Sequence, residues 1–80
     1  MRTFTKQERK EKLRQAATIA GFETVMNMLE EAATDSICTC VCMNVGCNWI
    51  EDYEPDQTEG WCENCDDNSM VSVLVLAGMI

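Results

Sequence analysis

Histidine is absent from this 80-residue sequence, and no lysine or arginine follows Arg14. Both absences weigh against catalysis in the body of the chain: the usual general base is missing, and nothing cationic is at hand to stabilise an oxyanion or a phosphate. The longest apolar run, from Met70 to Ile80, has eleven residues, whereas a membrane span needs about twenty. No membrane association is expected. The opening segment MRTFTKQERKEKLRQ has no apolar stretch of signal-peptide kind, so a reducing cytoplasm is the expected compartment. There is no internal repeat, and one domain over residues 1–80 is expected.

What the chain does have is six cysteines. In a small secreted domain these would read as a disulfide framework; in a reducing compartment they read as thiols or metal ligands. The spacing favours metal. Cys42, Cys47, Cys62 and Cys65 form C-x4-C, fourteen intervening residues, then C-x2-C, the pattern of two tight knuckles closing one tetrahedral site. A ribbon of 45 residues, from Ser36 to Ile80, is near the size at which burial alone rarely suffices. Structural zinc contributes on the order of 10 kcal/mol of folding free energy, so the ion stands in for a core. Four cysteines also close the coordination sphere, which leaves no open position for a catalytic zinc.

Charge is divided as sharply as the cysteines are grouped. All six basic residues, Arg2, Lys6, Arg9, Lys10, Lys12 and Arg14, lie in the first fourteen positions with Glu8 and Glu11, leaving that segment at +4. Residues 15–80 carry the other twelve carboxylates and no cation, hence −12. Such a field repels nucleic acid and membrane surfaces and speeds encounter with basic protein surfaces. The carboxylates Glu51, Asp52, Glu54, Asp56 and Glu59 lie between the knuckles, and Glu63, Asp66 and Asp67 flank the second. These eight are the expected partner-binding residues. Their spacing fits no calcium loop. A helix-turn-helix reading of AATIAGFETVMNMLEEA fails because the second helix would carry Glu23, Glu30 and Glu31 toward phosphates. Direct nucleic-acid binding is not expected.

Periodicity supplies the architecture. Thr5 followed by Glu8 matches a capping box, and Leu13, Ala16, Ala17 and Ala20 give an apolar helical stripe. Glu8 and Lys12 are placed for an i, i+4 pair. After Gly21 a second stripe, Val25, Met28, Leu29, Ala32 and Ala33, runs to Thr34. Residues 1–35 therefore read as one kinked helix or a helical hairpin. In the ribbon, 36–80, strands are expected at Ile37–Met43, Asn48–Tyr53 and Ser69–Leu76. The fold class is α+β, a helical segment packed on a three-stranded zinc ribbon. Val71, Val73, Leu74, Val75 and Leu76 would make the last strand apolar on both faces, so a homodimer or a protein target is expected to cover one of them.

Cys38, Cys40 and Cys42 would share one face of the first strand, about 6.6 Å apart. Cys38 is then too far from the metal to assist Cys42. The preferred reading makes Cys38 and Cys40 small buried hydrophobes, with a six-thiolate cluster as the alternative. Knuckles place a residue of positive φ just after the second cysteine, and Asn48 and Asp66 stand at those positions.

The segment CMNVGCNWIEDYEPDQTEGWCENCDDNSMVSVLVLAGMI resembles the small uncharacterised zinc-ribbon proteins of alphaproteobacteria and their phages. The shared features are the C-x4-C knuckle, the EPDQ turn, the GWC-x2-C knuckle and a terminal apolar strand near LAG. The likeness covers about the last 40 residues. It implies Cys42, Cys47, Cys62 and Cys65 as ligands and supplies no activity; Asp66, where such proteins usually carry Gly, and the extra Cys38 and Cys40 depart from it. Rubredoxins are also similar in their acidic aromatic loop, here NWIEDYEP, and in a Trp near the second knuckle, here Trp61. That likeness implies iron and electron transfer, although the C-x4-C knuckle and Glu63, where rubredoxins carry Pro, depart from it. Taken with the charge, the phage-like resemblance implies a non-catalytic inhibitor that covers the nucleic-acid-binding surface of a host complex, as an anti-CRISPR or DNA-mimic protein does. A housekeeping interaction module of the transcription or translation machinery is the competing expectation.

Overall fold

The computed structural model describes residues 4–79; Arg2 of the basic segment and Ile80 of the apolar run lie outside them. Helix α1 (Lys6–Ala20) starts where the sequence placed it. The Thr5 hydroxyl accepts the Glu8 N–H at 3.1 Å, and Glu8 accepts the Thr5 N–H at 2.9 Å. The helix stops at Gly21, whose φ of 87° costs a residue with a side chain about 1–2 kcal/mol. Helix α2 (Val25–Thr34) then begins afresh, with the Thr24 hydroxyl accepting the Asn27 N–H at 3.1 Å. The N-terminal half is a hairpin of two helices. None of the helices among the described residues is long and apolar enough to cross a membrane.

The rest of the chain forms an antiparallel sheet of β1 (Cys38–Cys42), β2 (Ile50–Tyr53), β3 (Gly60–Cys62) and β4 (Asp67–Ser72), in the order β2-β1-β4-β3. The sheet has four strands where three were expected. The additional one, β3, is only three residues long and includes a glycine, so neither alternation nor β-propensity marks it. Gly60 fits a tight place there, because a Cβ would sit 3.0 Å from the Met70 Cβ and the neighbour would have to give way.

The end of the chain also differs from expectation. The strand predicted to run to Leu76 stops at Ser72, and Val73–Leu76 form a short helix, α3. Ser72 is the cause, since its hydroxyl accepts the Leu74 N–H at 3.2 Å and so caps the turn. The turn folds the apolar run back on itself. Val73, Leu74 and Leu76 are buried against Leu13, Ala16 and Ala17 of α1, Met28 and Leu29 of α2, and Val41 and Val71 of the sheet. Each is stabilised by roughly 1.5–3 kcal/mol through burial. The two-faced apolar strand that called for a homodimer is therefore not formed.

The sheet separates two cores. Val41 of β1 faces the helices, while Cys40 and Cys42 pack with Cys47, Cys62 and Met70 on the other side, flanked by Tyr53 and Cys65. From Cys40 to Cys42 alternation thus assigns one face to hydrocarbon and the other to sulfur; Cys38, expected to share the face of Cys40 and Cys42, instead packs in the hydrocarbon core at the start of the strand.

Candidate metal centre

Cys42 ends β1 and Cys62 ends β3, so two ligand positions are fixed by strands that both neighbour β4. The other two come from turns. Between Cys42 and Cys47 the chain reverses at Gly46, with φ 82°, and the Cys47 N–H donates to the Asn44 carbonyl at 3.2 Å. After Cys65 it reverses at Asp66, with φ 54°, whose N–H donates to the Cys62 carbonyl at 2.8 Å. Positive φ was expected at Asn48 and Asp66. Asp66 has it; in the first knuckle the glycine before the cysteine takes that role instead, because the longer C-x4-C loop completes its turn before Cys47.

The four sulfurs lie within 4.8 Å of one another. Cys42 and Cys65 are 3.8 Å apart and Cys47 and Cys62 3.9 Å. A metal–sulfur bond of about 2.3 Å gives a tetrahedron with edges of about 3.8 Å, so the site has the dimensions of a four-thiolate centre. Soft donors in this arrangement suit zinc or iron.

Hydrogen-bond donors converge on the sulfurs. Backbone N–H groups reach Cys42 from Asn44, Cys47 from Trp49, and Cys62 from Asn64 and Cys65. The Ser69 hydroxyl lies 3.0 Å from the Cys42 sulfur, and the Asn64 amide donates to Cys47 at 3.4 Å. Burial pushes the Cys42 and Cys62 thiols up. At Cys47 burial acts the same way, but the Trp49 and Asn64 donors outweigh it and bring the thiol down to about 7. Donors of this kind favour the thiolate, the form that binds metal.

One contributor was not legible in the sequence. Lys12, placed by the sequence for an i, i+4 pair with Glu8, donates through its ammonium to the Asn44 carbonyl at 2.8 Å and the Cys47 carbonyl at 2.6 Å. It clamps the first knuckle and places a cation beside the sulfur cluster. Nothing local to Lys12 announces this, because the acceptors are 32 and 35 residues away. The Asn44 amide also donates to the Asp67 carboxylate at 3.0 Å, tying the first knuckle to the start of β4.

Cys38 and Cys40 stand outside the four-sulfur group. Cys40 is fully buried, and burial followed by the neighbouring Cys38 pushes its thiol up to about 12. The Cys38 sulfur lies 3.0 Å from the Ser72 hydroxyl.

The eight expected partner-binding carboxylates divide by position. Glu51 accepts from the Tyr53 hydroxyl at 2.9 Å, and Glu63 acts on the same hydroxyl through its charge, so these two acids meet on the sulfur side of the sheet. Asp52, one residue along β2, lies across the strand with Glu31 and Asp35 near the end of α2. Glu54, Asp56 and Glu59 are exposed on the connection between β2 and β3. Asp66 is exposed at the second knuckle, and Asp67 is held by Asn44. No family model, curated protein or solved structure matches this chain.

Proposed function

We propose that Cys42, Cys47, Cys62 and Cys65 bind one zinc ion, and that the ribbon it holds is a non-catalytic module whose acidic surface engages a basic protein. The single observation that carries the metal reading is the gathering of the four sulfurs within 4.8 Å of one another. With four thiolates and a divalent ion, residues 15–80 would carry about −14 rather than −12. Glu63 and Asp66 sit within or beside the second knuckle, so the ion that orders the knuckle also orders them. Glu51 lies 2.9 Å from the Tyr53 hydroxyl, whose single proton is shared between that carboxylate and the Trp61 carbonyl at 2.7 Å, a link from β2 to β3.

The partner this surface suits is a cleft that otherwise tracks phosphates. Duplex DNA presents about one negative charge per 1.7 Å of axis, and a rigid array of carboxylates competes for the same cations. The reading is an inhibitor of a nucleic-acid-binding host complex, of the anti-CRISPR or DNA-mimic kind. A target-binding assay with CRISPR surveillance complexes tests it. Inhibition that weakens with added salt, and that disappears when Glu51, Glu54, Asp56 and Glu63 are changed to Lys with metal content unchanged, is the expected result. A charge-reversed variant that inhibits as well as the parent, or complexes indifferent to the parent, would remove the inhibitor reading.

A further inference from the structure

A second site lies away from the sulfur cluster, where α1 meets β4 and α3. A cavity of about 360 Å³ opens there, walled by Phe4, Val71, Val75 and Leu76, with Arg9 and Asn68 supplying polar edges. The volume is that of a small-molecule pocket. Arg9 lines both this cavity and an adjoining depression that contains Lys6 and Lys10. The Arg9 Nε is buried and has no hydrogen-bond partner among the described residues. That nitrogen has no surface open to a ligand, but Arg9 lines the cavity elsewhere along its side chain, and an anion there would offset through its charge the cost of withdrawing this donor from water.

We propose that this cavity binds a small monocarboxylate with a hydrocarbon body, its carboxylate on Arg9 and its chain against Val71, Val75 and Leu76. Three features select this class over a neutral or cationic ligand. Guanidinium is matched to carboxylate by geometry and charge. Lys6 and Lys10 make this the electropositive end of an otherwise anionic protein. Phe4, Val71, Val75 and Leu76 form an apolar wall that gains by excluding water from a hydrocarbon chain, while Thr58 and Ser69 add neutral polar groups to the rest of the lining. Glu59 also borders the cavity, but it is exposed, and its charge is screened there. Asn68 is committed to the Glu59 carbonyl at 3.0 Å, which leaves Arg9 as the anchor. The cavity shares Glu59 with the expected acidic interface and none of its other seven carboxylates.

Octanoate is the probe, titrated into the metal-loaded full chain and followed by backbone amide NMR. Saturable one-to-one binding is expected, with shifts concentrated at Val71, Val75 and Leu76 and with octan-1-ol at least tenfold weaker. Arg9→Met should weaken octanoate at least tenfold, Arg9→Lys less, and metal content should stay that of the parent. Val75→Trp should block the cavity without touching Arg9. Octanol binding as tightly as octanoate, shifts that fall elsewhere, or octanoate that does not saturate would overturn the proposal. The octanol comparison needs no variant, so it decides even if Arg9→Met does not fold.

Discussion

Lys12→Met isolates the contact that couples the helical half to the metal knuckle. Methionine keeps much of the aliphatic stem and helix propensity of lysine, so what is lost is the ammonium and its donations to the Asn44 and Cys47 carbonyls at 2.8 and 2.6 Å. A hydrogen bond from a charged donor contributes about 1.5–3 kcal/mol. The two bonds share one half-exposed ammonium and do not simply add, which puts the loss at about 2–3 kcal/mol. Metal affinity falls by the same free energy, because knuckle order and metal binding are linked. A loss of that size is roughly 30- to 150-fold in the dissociation constant. Competition against a chromophoric zinc chelator measures it directly. Lys10→Met, exposed on the same helix, controls for charge and should change affinity little. A Lys12→Met protein within threefold of the parent would refute the claim that the clamp supports the site.

Tyr53, the only tyrosine, should titrate at about 12, since the hydrogen bond to Glu51 favours its neutral form. Because the pKa is raised in the folded chain, this stabilisation is complete below about pH 10 and lost as pH climbs through about 12; tyrosinate absorbance in the folded protein at pH 10 would contradict it. Gly60→Ala should destabilise the β3–β4 pair by about 1–3 kcal/mol through overpacking, because the new Cβ would lie 3.0 to 3.2 Å from Met70, Gln57 and Tyr53; unchanged denaturant midpoints would count against the close packing. Cys65→Ser should abolish stoichiometric metal binding while Cys38→Ser retains it, as read by elemental analysis.

The parts of the fold that were legible in the sequence are those with a local cause. The capping box at Thr5 and Glu8, the break at Gly21 and the two apolar stripes each depend on residues within a few positions of one another, and all reappear except that Ala20 and Ala33, the last residues of the stripes, are exposed. Cysteine spacing likewise anticipated which four sulfurs gather within 4.8 Å, because a knuckle is a short-range turn. The misreadings have non-local or competing causes. Val73 to Leu76 are rich in β-formers, yet burial between two helices and the Ser72 cap overrode that propensity. Strand β3 exists because β4 is there to pair with it. The Lys12 clamp depends on packing α1 beside a knuckle more than thirty residues away, which no window of sequence contains.

Native mass spectrometry paired with a backbone amide NMR spectrum of the protein purified without added metal, before and after chelation, tests the central claim most directly. The account predicts a colourless protein with one zinc per chain, and loss of the sheet's amide dispersion once the ion is stripped, because the metal's binding energy is folding energy. A chain that keeps its sheet without metal, or a red protein with stoichiometric iron, would contradict it.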